Sequence, residues 1–311
     1  EMTRILTWML VLTLAVAACQ PAANRSSLKV VAAETFLADI AQNVAGNRIK
    51  IEALMPVGVD PHSFEPTPSD VAKVADSNLL IVNGAGFEVF LADLLENTGG
   101  QRTVIEASAG LTMRTPQAGE HAEEAEHEAA DEHAHEGDPH FWLDPNNVIK
   151  YVETIRDGLT QADPEGAAIY RANAEAYIAQ LQDLDRWIAD RLGEIPPTDR
   201  LLVTNHESFG YFADRYGLRI IGTVIPSASS GASPSAQQLA ALIDHIRETG
   251  AKAIFLETGA NPQLAQQVAR ETGVKVVTDL YTHSITAAGG PAPTYIDMMK
   301  ANVNAIVAAL K

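Results

Sequence analysis

The order of apolar and helical segments predicts an α/β protein of two lobes. Each lobe has a mostly parallel sheet flanked by helices, and one long rigid helix joins the two. Three observations carry this reading. Short apolar runs alternate with helical stretches over residues 28–107, the pattern by which parallel strands are connected. The same alternation restarts at residue 200. Between them lies a long segment free of helix breakers.

In the first lobe, "LKVVAA" is a buried strand, and "TFLADIAQNVAG" has helical spacing ending at Gly46. A strand "IKIEALMP", a proline-rich loop around His62 and a short helix after Pro68 follow. Then come a strand "NLLIVNG", a helix over 89–97 and a strand "RTVIEA". In the second lobe, "RLLVTN", "LRIIGTVIP", "AKAIFLE" and "VKVVTD" are strands. They alternate with helices at "SFGYFADRYG", "SPSAQQLAALIDHIRETG" and "NPQLAQQVARETG", each of which closes on glycine, and a last helix spans 294–310. The joining segment runs between Pro164 and Pro196. Apolar residues recur there at Ile169, Ala172, Ala176, Ile178, Leu181, Leu184, Ile188 and Leu192. At 1.5 Å per residue this predicts roughly 45 Å of helix, a stiff strut rather than a hinge. The expected organisation is therefore a signal and tether over 1–27, an N-terminal lobe over 28–163, the helix over 164–195 and a C-terminal lobe over 196–311.

Arg4 precedes the apolar run "ILTWMLVLTLAVAAC". The run is too short to span a bilayer as a helix and has the layout of a secretory signal. "VAAC" resembles a lipoprotein processing box, so Cys19 is the expected lipid attachment point. Cys19 is the one cysteine in the sequence. A metal site in the folded part must therefore use His, Asp or Glu. The net charge of −18 argues against a nucleic-acid partner, which needs a basic surface.

Residues 117–138 form a low-complexity tract with four histidines (His121, His127, His133, His135) and nine acids. Its composition cannot bury a core and predicts disorder, and its histidines suggest auxiliary, low-affinity metal binding. Of the remaining histidines, His245 falls within a helix, while His62, His140 and His206 fall in loops. His62 follows a strand, His140 sits in "DPHFWLDP", and His206 follows "LLVTN". Asp279 ends "VKVVTD". Ligands in open α/β sheets bind beyond the carboxyl ends of strands, so these four groups can converge on one interlobe cleft. Three imidazoles and a carboxylate suit tetrahedral Zn²⁺; manganese prefers more oxygen.

The motifs "DPHSFEPTPSD", "DPHFWLDP", "TNHESFGYFADRYGL", "IFLETGANP" and "TYIDMMKANV" occur in an order that resembles the metal-binding receptors of bacterial ABC importers for zinc or manganese. The resemblance covers nearly all of the chain after the signal. It implies one metal ligand from each of the first three motifs, here His62, His140 and His206. A fourth comes from an acid after a late strand, here Asp279. His283, four residues on, is the rival fourth ligand. The third ligand is usually glutamate in the manganese branch and a His-rich loop marks the zinc branch, so the zinc branch is expected. The segment "TDLYTHSITAAGGPAPTY" resembles the AztC type of zinc receptor, which takes zinc from a periplasmic metallochaperone. The implied protein is an exported, monomeric Zn²⁺ receptor and not an enzyme. Its partners are a permease with its ATPase and, for the AztC type, the metallochaperone. The alternatives are a manganese receptor, a secreted zinc hydrolase using Glu207 or Glu257 as base, and an adhesin.

Overall fold

The computed structural model describes residues 27–114, 137–227 and 230–311. The signal segment with Cys19 and the four tract histidines lie outside these residues.

The first sheet contains β1 (Val30–Ala32), β2 (Ile51–Ala53), β3 (Leu79–Val82) and β4 (Thr103–Glu106), in the order β2-β1-β3-β4. The second contains β5 (Leu201–Thr204), β6 (Arg219–Thr223), β7 (Ala253–Glu257) and β8 (Lys275–Leu280), in the order β6-β5-β7-β8. Every pairing is parallel, so the two sheets share one topology. Crossover helices α1 (Thr35–Ala45), α2 (Pro68–Ala75) and α3 (Leu91–Thr98) serve the first sheet. Helices α6 (Gly210–Tyr216), α7 (Ala236–Thr249) and α8 (Gln263–Thr272) serve the second, and α9 (Tyr295–Leu310) closes the chain.

The joining helix is α5 (Ala167–Leu192). Its buried side chains are Tyr170, Ala174, Tyr177, Leu181, Leu184, Ile188 and Leu192, a strict three–four spacing. The C-terminal half matches the sequence-predicted stripe. The N-terminal half does not: Ile169 is 40% exposed and Ala172 and Ala176 face solvent. Two tyrosines take the inner face instead, because a Tyr ring buries far more area than Ala.

A helix that sequence reading left unassigned, α4 (Pro145–Ala162), packs along α5. Asp144 caps it by accepting from Asn146 N, and Pro145 occupies its first turn. Helices α1, α4, α5 and α9 share one continuous buried cluster with the inner faces of both sheets, from Val30 to Leu310. The joining helix is therefore part of the core. Each buried aliphatic in it contributes about 1.5–3 kcal/mol, so moving one lobe against the other would disturb well-packed side chains. Separate clusters cover the outer face of the second sheet and of the first.

Candidate metal centre

The carboxyl ends of both sheets face each other, and their loops deliver the histidines. His62 lies in a 3₁₀ turn, Pro61–Ser63, after β2. Asp60 caps that turn by accepting from His62 N at 3.0 Å. His140 repeats the arrangement: Asp138 Oδ1 accepts from His140 N at 2.9 Å, ahead of the turn Phe141–Leu143. Both are Asp-Pro-His, in which the acid fixes the backbone two residues on. His206 follows β5, its carbonyl accepting from Thr204 Oγ1.

The fourth member of the cluster is His283. The candidate donor atoms of His62, His140, His206 and His283 all lie within 4.8 Å of one another. The expectation for Asp279 is not met. It is an exposed residue within the edge strand β8, one position before buried Leu280, and outside the cluster. The strand continues through Asp279, so the chain turns inward only afterwards. Long-range hydrogen bonds hold that turn. Trp142 Nε1 donates to Thr282 O at 2.7 Å. Ser284 Oγ pairs with Thr35 Oγ1 at 3.0 Å and accepts from Gly58 N at 2.8 Å.

Two of the nitrogen spacings suit a coordination shell. His140 Nε2 lies 3.3 Å from His62 Nε2 and 3.3 Å from His206 Nε2. Nitrogens at about 2.0–2.1 Å from one ion sit about 3.3–3.4 Å apart at tetrahedral angles. The opposite ring nitrogens face carboxylates. His140 Nδ1 donates to Asp138 Oδ1 at 2.8 Å. His206 Nδ1 is 2.9 Å from Glu257 Oε1, a close ionic contact without hydrogen-bond alignment. His283 Nδ1 is 3.9 Å from Asp60 Oδ1. Such partners select the tautomer that turns Nε2 inward and raise its basicity.

An apolar wall backs the cluster. Phe87 meets the rings of His62 and His140 at 5.1 and 5.6 Å, and Trp142 meets His140 at 5.2 Å. Phe87 is delivered by a turn in which Gly84, Ala85 and Gly86 all have positive φ. A side chain at Gly84 would also press on Glu106. Asn83 Nδ2 donates to Pro139 O, tying this turn to the His140 loop. Glu88 accepts from Asn83 N and Gly84 N and lies against fully buried Glu34.

These surroundings set the charges. Burial, then neighbouring imidazoles, hold His140 and His283 well below the ordinary histidine value. Burial also pulls on His206, but Glu257, with Asp60 and Asp138, overturns it and leaves that histidine raised. Burial pushes Asp138 up to about 7. It pushes Glu88 to about 7 and Glu34 well above the carboxylate range, the latter helped by the charge of Glu88. Two carboxyls packed together out of water cannot both ionise freely.

Sequence reasoning located His62, His140 and His206 and named His283 as the alternative to Asp279. It missed Asp138, counted with the acidic tract although Asp138-Pro139-His140 repeats Asp60-Pro61-His62. It also missed Glu34, Glu88 and the aromatic wall, which carry no local signal. Glu257, a candidate base in the hydrolase reading, stands behind His206. His245 lies within α7, away from the cluster. A cleft of about 870 Å³ runs along the starts of β1 and β2 and contains none of the histidines.

The zinc-uptake complex component A periplasmic family matches residues 30–309. The manganese-binding lipoprotein MntA of Halalkalibacterium halodurans is 36% identical over 283 residues, 91% of this chain and 88% of that protein. The iron-binding protein YfeA of Yersinia pestis is 32% identical over 297 residues, 96% and 91% of the two chains. The Mn-bound periplasmic metal-binding protein of Candidatus Liberibacter asiaticus superposes with a TM-score of 0.78 at 27% identity, covering 91% of this chain and 99% of that one. The periplasmic zinc-binding protein TroA of Treponema pallidum gives 0.77 at 26% identity, covering 90% and 98%. These relatives are named for different metals, and the family consists of substrate-binding proteins for metal transport, not enzymes. Fold, histidine cluster and likeness agree: this chain belongs to the zinc-uptake complex component A family, the periplasmic metal-binding receptors of ABC importers.

Proposed function

We propose that the protein is a zinc receptor. It captures Zn²⁺ between the lobes on His62, His140, His206 and His283 and delivers it to a membrane permease served by an ATPase. The donor set carries this reading. The cluster has four imidazoles and no carboxylate among the described residues, with two nitrogen spacings matching a tetrahedral edge. Nitrogen donors in that geometry suit zinc, whereas manganese favours octahedral oxygen sites. The negative charge stands one layer out, on Asp138, Glu257 and Asp60, where it offsets the charge of the bound ion.

The manganese name of the relative at 36% identity favours the second reading, a manganese receptor. A competition titration of metal-stripped protein with Zn²⁺ and Mn²⁺ decides. Tight 1:1 zinc binding with weak manganese binding is expected, and manganese preference would overturn the zinc assignment. In the same titration, weaker additional zinc sites are expected from His121, His127, His133 and His135, lost when residues 117–138 are deleted. Their persistence would remove the auxiliary role. Lipid attachment at Cys19, a monomeric state and loading by a metallochaperone of the AztC kind complete the proposal. Mass spectrometry of the membrane-extracted protein, sedimentation and a transfer assay from the metal-loaded chaperone test each in turn.

A further inference from the structure

The histidine cluster is approached from two sides. His62, the least buried of the four, borders an open groove of about 480 Å³ with Phe64, Phe90 and 56%-exposed Val89 on its wall. His283 borders a different cavity of about 290 Å³. Gly58 and Asp60 form one wall of it, from the first lobe; Asn205, Ser230, Glu257 and Asn261 form the other, from the second. His283 is 8% exposed, and its Nε2 is buried with no hydrogen-bond partner among the described residues. A ligand atom thus waits at the inner end of a polar passage.

Asp60 is the more exposed of the two carboxylates lining that passage, 36% against 8% for Glu257. It is outside the histidine cluster but touches its surroundings on three sides. Oδ1 accepts from His62 N and lies 3.9 Å from His283 Nδ1. Oδ2 accepts from Ser230 Oγ across the passage. A dication entering here meets this fixed charge before it reaches an imidazole.

We propose that the polar passage is the cation's route into the site and that Asp60 is its loading residue. The carboxylate holds the hydrated ion beside His283, and each imidazole nitrogen that then binds displaces one water. The groove on the other side also carries carboxylates, Glu65 and Asp93; the passage is preferred because Asp60 lies on both His62 N and His283 Nδ1. The inference rests on the metal reading above and adds to it a path and a kinetic role.

The test is stopped-flow association of Zn²⁺ with metal-stripped protein, wild type against Asp60→Asn, over a range of salt. Asn keeps an oxygen for His62 N and removes only the charge. Association is expected to slow about three- to tenfold at low salt, with a flatter salt dependence, in addition to any faster dissociation from the weaker support of His283. An unchanged association rate, or a loss lying wholly in faster dissociation, would overturn the loading role. Ser230→Ala frees Oδ2 and keeps the charge, so it should load at least as fast as wild type; slower loading counts against the proposal. Glu65→Gln, on the groove side, should load at the wild-type rate. If it slows while Asp60→Asn does not, the ion enters by the groove. If wild type takes up no zinc, the metal reading itself falls, which the rate comparison alone does not produce.

Discussion

Replacing His283 with alanine separates the ligand set built by the tertiary structure from the one expected of the sequence. Structural zinc sites bind with about 10–16 kcal/mol at neutral pH, or about 2.5–4 kcal/mol for each of four ligands. A water can enter the vertex that His283→Ala vacates and return part of this, leaving a loss of about 2–3 kcal/mol. That is about a 30- to 150-fold weaker Kd. Asp279→Ala removes an exposed carboxylate outside the cluster and should change Kd less than twofold. The assay is chelator competition at fixed pH and ionic strength, with melting curves of the metal-stripped variants to show that both fold. The reasoning fails if His283→Ala stays within twofold of wild type, or if Asp279→Ala costs as much as His283→Ala.

Glu257→Gln keeps the shape beside His206 and removes the charge that raises it. Zinc affinity at pH 7.5 should fall about 10- to 100-fold. Its decline with acidification should begin at lower pH, because the proton that competes for His206 is held less firmly; an unshifted pH profile would show that Glu257 does not govern that histidine. Glu34→Gln tests the buried acid pair. Both carboxyls are raised in the fold, so the folded state binds more protons than the unfolded one. The associated stability is full below the ordinary carboxylate range and is lost as pH rises through about 7. The variant should therefore lose less stability than wild type between pH 6 and 8.5, by up to about 1.4 kcal/mol per pH unit, the value of one proton. Denaturant melts across that range would give parallel profiles if the pair shares no proton.

What the sequence determined is what local pattern encodes. Alternating apolar runs and helical spacing specified two parallel sheets, because strand connection depends on nearby residues. His62, His140 and His206 were legible because each sits in a loop at a strand end or between prolines. Helix α4 was legible too, through Asp144, Pro145 and the spacing of Val148, Tyr151, Val152, Ile155 and Leu159, though no element was assigned there. The tertiary structure alone placed His283, and not Asp279, beside the other three imidazoles. His283 and Asp279 lie four residues apart, and nothing local says where edge strand β8 stops and the chain turns in. That point is set by Trp142, Thr35 and Gly58, which are 140, 249 and 226 residues from the atoms they hold. Placing Asp138, Glu257 and Asp60 behind the imidazoles likewise needs both lobes assembled. Each histidine is offered by its own short segment, but the charge that tunes it depends on contacts that exist only once the chain has folded.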